Sequence, residues 1–377
     1  MLLLCSLCVS SLLACGRGEQ QPDPDDTGEP TDTQSGDLDS DGDGVRASED
    51  CDDQDASVWQ DGELESLDSQ DGLSGVCDSY CALQITGNVQ LRDATDADLE
   101  ALSCVTAIGG DLWIRDAAAV TTLAPLGGLQ SIGDALIIEQ AQLQDLGKLA
   151  ALTDLHGLIL REMDSFNSLQ AVAGFGLRGD LQVYDLPALA SIEGVDGALQ
   201  ISDFTLSGTG VSSLQPLSGL SLGSVELIDN AVEDLSGLEH IDHLEVLRIE
   251  SEAVTSLTPL SKLTEVERMT LQDLTLGSLS GLESLAFVEQ RLLITGVSGV
   301  SDLNGLSGLR VVGTDASGID SLDIVDLPDL EYLGGLHSLE EVIGTVSVAQ
   351  CPQVSQAERE ALEDALEGKV SEGLYWN

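Results

Sequence analysis

Residues 109–138, GGDLWIRDAAAVTTLAPLGGLQSIGDALII, combine two apolar patterns. The segment DLWIR, and ALII after it, alternate apolar with other residues, which is typical of a strand with one buried face. Between them, LAPLGGLQSI carries an apolar residue at every third position. That spacing suits a short helical or 3-10 return with one inward side chain per turn. The stretch therefore predicts one strand and one return of a repeating unit.

The same unit recurs along most of the chain. The first apolar residues of its strands are Val89, Leu112, Leu136, Leu158, Leu181, Phe204, Val225, Leu247, Met269, Leu292, Leu322 and Val346. Consecutive members lie 21 to 24 residues apart, except for one step of 30. So regular a period predicts a solenoid, in which each unit stacks on its neighbours.

These residues resemble bacterial leucine-rich repeats, in particular those like the receptor L domain, over roughly residues 82–351. The resemblance implies a β-rich repeat solenoid whose parallel rungs of about 22–23 residues alternate with short helical or 3-10 returns. The asparagine that many such repeats place five positions after the strand start occurs here only at Asn230. We therefore expect no asparagine ladder, and the L-domain variant fits better.

Both ends of the repeat array carry helix signals. Thr95 and Asp98 have approximate capping-box spacing before Leu99, and Ser355 and Glu358 repeat that spacing before an amphipathic segment that stops at Gly368. We interpret both segments as helical caps over the apolar ends of the solenoid.

The composition restricts the classes of partner. The 377 residues include 67 acids and 14 bases, for a net charge of −53, and 42% are hydrophobic. Such a charge repels phosphate backbones and anionic lipid head groups, so nucleic acid and acidic membrane surfaces are excluded as partners.

The N-terminus predicts export. Its apolar run is too short to span a membrane and has the length of a signal-peptide core. Leu12-Leu13-Ala14-Cys15 resembles the bacterial lipobox, which implies cleavage before Cys15 and lipidation of that thiol; the alternative is an ordinary secretory peptide cut elsewhere. We expect a lipoprotein of the bacterial cell envelope, anchored in the outer membrane and facing the surface or the periplasm.

Residues 39–55, DSDGDGVRASEDCDDQD, have the spacing of a calcium loop. Three carboxylates alternate with small residues before a glycine, an arrangement that places hard oxygen ligands around one point. The continuation resembles a D-x-D-G-D-G…D-C-D-D motif of secreted bacterial proteins. The candidate ligands are Asp39, Asp41, Asp43, the Val45 carbonyl, Asp50, Asp52, Asp53 and Asp55. All-oxygen ligation favours calcium over copper, and an unliganded acidic tether is the alternative.

Five cysteines remain after signal cleavage and lipidation. An exported protein favours disulfides, and nearness in sequence suggests Cys81–Cys104 and Cys51–Cys77, with Cys351 unpaired or intermolecular. Spacing alone does not determine the connectivity.

No catalytic motif is present, and we predict no enzymatic activity. His240 and His243 could hold a metal. However, the apolar spacing of three residues in the return places Leu238 and Ile241 inward and both histidines in solvent. The outward strand positions include Trp113, Ile137 and Ile159 on consecutive rungs. They predict either an apolar docking patch or a surface buried under a loop or lid.

These inferences divide the chain into six segments: a signal peptide (1–14), an acidic tether (15–36), a calcium-type loop (37–62), a cysteine-containing N-terminal cap region (63–104), the solenoid (105–352) and a C-terminal cap helix with its tail (353–377). The expected function is recognition of a protein or glycan on a calcium-stabilised stalk. The alternatives are a structural envelope spacer without a ligand and, less favoured, a β-helix acting on polysaccharide.

Overall fold

The computed structural model describes residues 40, 60–65, 67, 75–78, 80–314 and 321–376. Within these residues the strands form one sheet of 18 strands, paired in parallel throughout. In chain order they are β1 (Gln60–Leu64), β2 (Tyr80–Ile85), β3 (Val89–Arg92), β4 (Val105–Ile108), β5 (Leu112–Arg115), β6 (Ser131–Glu139), β7 (Asp154–Arg161), β8 (Leu181–Leu186), β9 (Ile201–Thr209), β10 (Leu222–Asn230), β11 (His243–Glu250), β12 (Glu265–Gln272), β13 (Phe287–Thr295), β14 (Val311–Val312), β15 (Ser321–Val325), β16 (Glu341–Val342), β17 (Thr345–Ala349) and β18 (Gly373–Trp376).

The predicted rungs are confirmed in position and register. All twelve predicted strand starts lie in strands, and each pairs with the next, from Val89 with Leu112 to Leu322 with Val346. Every one of the twelve has a relative exposure of 0%. They form the central column of a single hydrophobic core, which is why the period is so strictly kept.

A second, shorter ladder runs beside the first. Ile108 pairs with Ile132 and Ile132 with Leu155, and the column ends where Val312 pairs with Val342 and Val342 with Val370. Strands β1, β2, β4, β14 and β16 contribute to this ladder and not to the main one, whereas the long strands β6 and β13 take part in both. Rungs with both ladders therefore bury apolar side chains at two successive points along the chain, one in each ladder.

Seven returns in the described ranges contain 3-10 helices, as predicted, and others are turns. The helices span Ala124–Leu126, Gln170–Gly174, Val195–Gly197, Gln215–Leu217, Thr258–Leu260, Asn304–Leu306 and Gly334–Ser338. In five of these helices, a Ser, Thr or Asp side chain two residues before the first helical residue accepts from its N–H, as in Ala124 N to Thr122 Oγ1 at 3.1 Å and Thr258 N to Ser256 Oγ at 3.2 Å. These side-chain turns start the return and satisfy its free amide.

A left-handed corner ends the strand of almost every rung. All nine non-glycine residues with positive φ in the described ranges occupy this one register position: Asp93, Asp116, Gln140, Glu162, Asp185, Asp229, Asp273, Asp326 and Gln350. Their φ angles lie between 45° and 59°, and Gly208 and Gly296 take the same position on two further rungs. The corner N–H still bonds to the next rung, as in Asp326 N to Ala349 O at 3.0 Å. The chain therefore turns without the asparagine ladder.

Both predicted helices form with their predicted N-caps. Helix α1 (Asp96–Glu100) has a full capping box, with Asp98 N donating to Thr95 Oγ1 at 3.3 Å and Thr95 N donating to Asp98 Oδ2 at 2.8 Å. It takes the place in its rung that 3-10 helices take in later rungs. Helix α2 (Gln356–Ala365) begins after Ser355, and Leu362 packs into the core. Strand β18 follows α2 and extends the sheet, because Leu374 pairs with Val346.

The disulfide pairing differs from the expected one. Cys77 bonds to Cys104, with the Cα atoms 5.5 Å apart, so the expected pairs Cys81–Cys104 and Cys51–Cys77 are wrong. The turn at Gly75–Asp78 brings Cys77 to the end of α1, and Cys104 N lies 3.1 Å from Cys77 Sγ. Cys81 is itself disulfide-bonded. Cys351 is free and buried, and this burial raises the pKa of its thiol.

Two adjacent leucines on opposite faces of β13 test the assignment of the core. Leu292→Ala empties a fully buried site and should lower the free energy of unfolding by about 2–5 kcal/mol. Leu293→Ala, on the solvent side of the same strand, should cost less than about 1 kcal/mol. Denaturant unfolding monitored by circular dichroism checks both, and equal losses would contradict the register.

The left-handed corner is tested at Asp326. A β-branched side chain is strained at φ 56°, so Asp326→Val should destabilise by about 1–2 kcal/mol, whereas Asp326→Gly should stay within about 1 kcal/mol of the parent. Asp242→Val, at an exposed position without positive φ, is the matched control. If all three variants unfold alike, backbone geometry does not select the residue at the corner.

Candidate binding face

The solvent-facing residues of the main-ladder strands form one continuous surface, which we call the strand face. Each of these strands contributes three outward positions, as with Asp111, Trp113 and Arg115 around buried Leu112 and Ile114. Because the rungs are in register, each outward position forms a column across the sheet. The middle column runs from Gln90 to Ser347 through the predicted outward residues and ends at the exposed Tyr375 on β18.

The three apolar residues named from the sequence are neighbours in this column. Trp113 pairs with Ile137, and Ile137 pairs with Ile159. Trp113 and Ile159 are partly exposed, while Ile137 retains 9% of its accessible surface. Gln90 and Gln182 border the stripe on either side. We call Trp113, Ile137 and Ile159 the apolar stripe.

An arginine covers the aromatic ring of the stripe. The Arg115 guanidinium lies 3.2 Å from the centroid of the Trp113 ring, a cation–π contact between outward positions two residues apart. The Trp113 Nε1 atom is buried and has no hydrogen-bond partner among the described residues. Two rungs on, the Arg161 guanidinium lies 5.2 Å from the Tyr184 ring. Guanidinium groups thus lie beside the apolar stripe.

The strand face is nearly neutral, unlike the rest of the molecule. Its six arginines are Arg92, Arg115, Arg161, Arg248, Arg268 and Arg291. Its seven acids are Asp111, Glu139, Asp180, Asp203, Glu226, Glu250 and Asp323. The whole chain has 14 Lys and Arg against 67 acids. Nearly half of its bases therefore lie on this one surface.

Several of these arginines pair with acids on the face. Arg161 bonds Glu139 at 3.1 Å and Arg291 bonds Asp323 at 2.9 Å, in each case between adjacent rungs. Arg115 makes no ion pair within the described part of the chain, so its guanidinium edge is free to donate. These exposed pairs contribute little stability each, and their main effect is to cancel charge.

The acids on the face also influence one another. Asp180 and Asp203 occupy neighbouring rungs, and burial, followed by the nearby Asp203 carboxylate, raises the pKa of Asp180 above its ordinary value. Additional negative charge is therefore unfavourable at this part of the face.

One edge of the face is strongly acidic. Seven of the left-handed corners carry carboxylates: Asp93, Asp116, Glu162, Asp185, Asp229, Asp273 and Asp326. They are exposed and lie just beyond the C-terminal ends of the strands, in a row parallel to the columns, and we call them the acidic margin. Arg92 lies 3.7 Å from Asp116 and is the basic side chain that pairs with the margin in the described ranges.

A cavity of about 710 Å³ opens where the corner pattern lapses at Ser251. Asp229, Glu250, Glu252 and Asp273 are among its lining residues. Despite this acidity, the described residues contain no group of three or more His, Cys, Asp or Glu side chains arranged to hold a metal.

The predicted histidine arrangement is confirmed. Leu238 and Ile241 are buried, while His240 and His243 are exposed. His240 Nε2 lies 2.6 Å from Leu220 O, and His243 Nδ1 lies 4.0 Å from Glu265.

Other predicted sites lie outside the described residues. These are the lipidation site Cys15, the calcium-loop ligands Asp39, Asp41, Asp43, Val45, Asp50, Asp52, Asp53 and Asp55, and Cys51. Within the described ranges, none of the helices has the length and apolarity needed to span a membrane.

Comparison with solved structures identifies the fold. An internalin from Listeria monocytogenes aligns over 79% of this chain and 80% of its own, with 19% identity and a TM-score of 0.50. The fold is a leucine-rich-repeat solenoid. A leucine-rich-repeat protein from Leptospira interrogans aligns over 78% of this chain and 90% of its own, at 13% identity and a TM-score of 0.40. No protein-family model and no curated protein sequence matches the chain.

Proposed function

We propose that this protein is an envelope-anchored recognition module that binds a protein or glycan through its strand face. The observation that carries the proposal is the charge balance of that face in a chain of net charge −53. A partner approaching any other side meets excess carboxylate, whereas the face offers apolar, aromatic and guanidinium groups, which are enriched at binding surfaces.

The sequence supports the placement of this module. Its N-terminal apolar run and the lipobox-like Leu12-Leu13-Ala14-Cys15 fit an exported lipoprotein held at the outer membrane by lipid on Cys15. In this proposal the acidic tether and a calcium-bound loop at residues 37–62 form the stalk, and calcium reduces the repulsion between its carboxylates. The proposal gives neither the strand face nor the acidic margin a catalytic role.

Arrays of immobilised glycans and of extracellular protein domains test recognition by the strand face. The full-length mature chain should bind at least one arrayed ligand, and Ile159→Glu should weaken that binding by about tenfold or more, because it places a carboxylate in the apolar stripe. Leu199→Glu makes the same change at a residue 68% exposed off the face and should leave binding unchanged.

Absence of binding across both arrays would favour the spacer alternative. Equal losses in Ile159→Glu and Leu199→Glu would place binding elsewhere on the surface. Thermal melts of both variants establish that they remain folded, so that lost binding reports on contact.

Calcium titration of the full-length mature chain tests the stalk. Calorimetry should detect binding at sub-millimolar free calcium, and chelator should lower the thermal midpoint. The double variant Asp41→Asn with Asp43→Asn removes two charged ligands and should abolish the heat. Asp23→Asn with Asp25→Asn, in the tether, makes the same charge change outside the loop and should preserve it. A melt insensitive to chelator together with no titration heat would refute the calcium proposal.

A further inference from the structure

We propose that the partner seated on the apolar stripe is a protein segment whose apolar side chains are flanked by lysine or arginine. This inference rests on the proposed function and specifies the chemistry of the ligand. It follows from the stripe, the ring-covering arginine and the acidic margin, which lie side by side on the first rungs of the face.

The stripe has the dimensions of a short row of apolar side chains. Trp113, Ile137 and Ile159 sit on three adjacent parallel strands, whose separation is about 4.8 Å, so the row is about 10 Å long. Two or three apolar residues of an extended or helical segment cover that length. The polar neighbours Gln90 and Gln182 limit it at both ends.

The acidic margin supplies the flanking requirement. Asp93, Asp116, Glu162 and Asp185 follow the strands of this region, three residues beyond the middle column in each rung. That offset corresponds to about 10 Å along a strand, which a lysine or arginine projecting from a docked segment can span. Acidic side chains on the same segment would face these carboxylates and be repelled.

The covered tryptophan favours a protein over a sugar. A sugar ring binds an aromatic platform by lying on its open face, but the Arg115 guanidinium lies 3.2 Å from the centroid of the Trp113 ring. The arginine instead presents N–H groups beside aliphatic surface. Such groups can bond to the main-chain carbonyls of a peptide whose apolar side chains contact Ile137 and Ile159.

Charge also disfavours two other occupants. A second copy of this chain, with its own net charge of −53, would be repelled by the acidic margin. The chain's own residues 18–59 are rich in carboxylates, and Arg46 is their only basic residue. A cationic partner, in contrast, is attracted by the field of the whole molecule and associates faster.

Three fluorescein-labelled dodecapeptides with the folded mature chain test the inference: alternating Leu-Lys, alternating Leu-Glu and alternating Ser-Lys. Fluorescence anisotropy at physiological ionic strength should show the Leu-Lys peptide binding at least about tenfold more tightly than either of the others. The Ser-Lys peptide measures attraction to net charge alone, and the Leu-Glu peptide measures apolar contact opposed by charge repulsion.

Matched variants locate the binding on the stripe and on the margin. The double variant Trp113→Gln with Ile159→Gln introduces glutamine, the residue type found at positions 90 and 182 on the neighbouring rungs. It should weaken Leu-Lys binding about tenfold. Leu293→Gln, in the same column near the other end, should change it less than about twofold. Asp116→Asn with Glu162→Gln should weaken it severalfold, whereas Asp273→Asn with Asp326→Asn should not.

The outcomes separate this inference from the proposed function. If Ile159→Glu abolishes array binding but the Leu-Glu peptide binds as well as Leu-Lys, the face is a binding surface and the basic partner is wrong. If Leu-Lys binding is equally reduced by the distal controls, the attraction is general and the inference is overturned. If Ile159→Glu leaves array binding intact as well, the proposed function fails too.

Discussion

The stacking of one rung on the next is the constraint on which this structure depends. A single strand and return buries too little apolar surface to be stable alone, and only repetition in register closes the core. The twelve strand-start residues therefore lie in one column, and each is fully buried, with 0% relative exposure. The same register determines every outward position, because side chains alternate along a strand and a slip of one residue would reverse the two faces.

Turning the chain within so short a period places a left-handed residue after almost every main-ladder strand, and this geometry influences where the charge lies. Aspartate tolerates that conformation better than most residues, and the corner is exposed, so a carboxylate there costs little. Six of the nine non-glycine corners are aspartate. The outcome is a row of acids along one edge of the sheet. A local backbone requirement thus places part of the net charge beside the strand face and not on it.

The strand starts and the 3-10 returns could be predicted because periodicity of apolar residues reports directly on which side chains are buried. The apolar stripe followed from the same register. What escaped prediction depends on contacts between rungs or on backbone angles. Cys77 and Cys104 come together because of a turn beside α1. Strand β18 is short and follows a helix whose sequence has the features of a C-terminal cap. The stacking of Arg115 on Trp113 depends on side-chain conformation. The corners carried a visible signal, an acidic or small residue four positions after ten of the twelve strand starts, but one sequence does not separate it from general acidity.

The near-neutral strand face has consequences for selectivity. Exposed charges interact over only about 8 Å in physiological salt, so a partner on the face responds mainly to the side chains beneath it. There it meets paired arginines and acids, the apolar stripe and a free guanidinium edge at Arg115. Beyond the face, the remaining carboxylates repel acidic proteins and leave cationic ones attracted. For the partner proposed above, selection therefore has two components: the charge of the molecule favours the approach of cationic partners, and packing against the stripe favours those that remain bound.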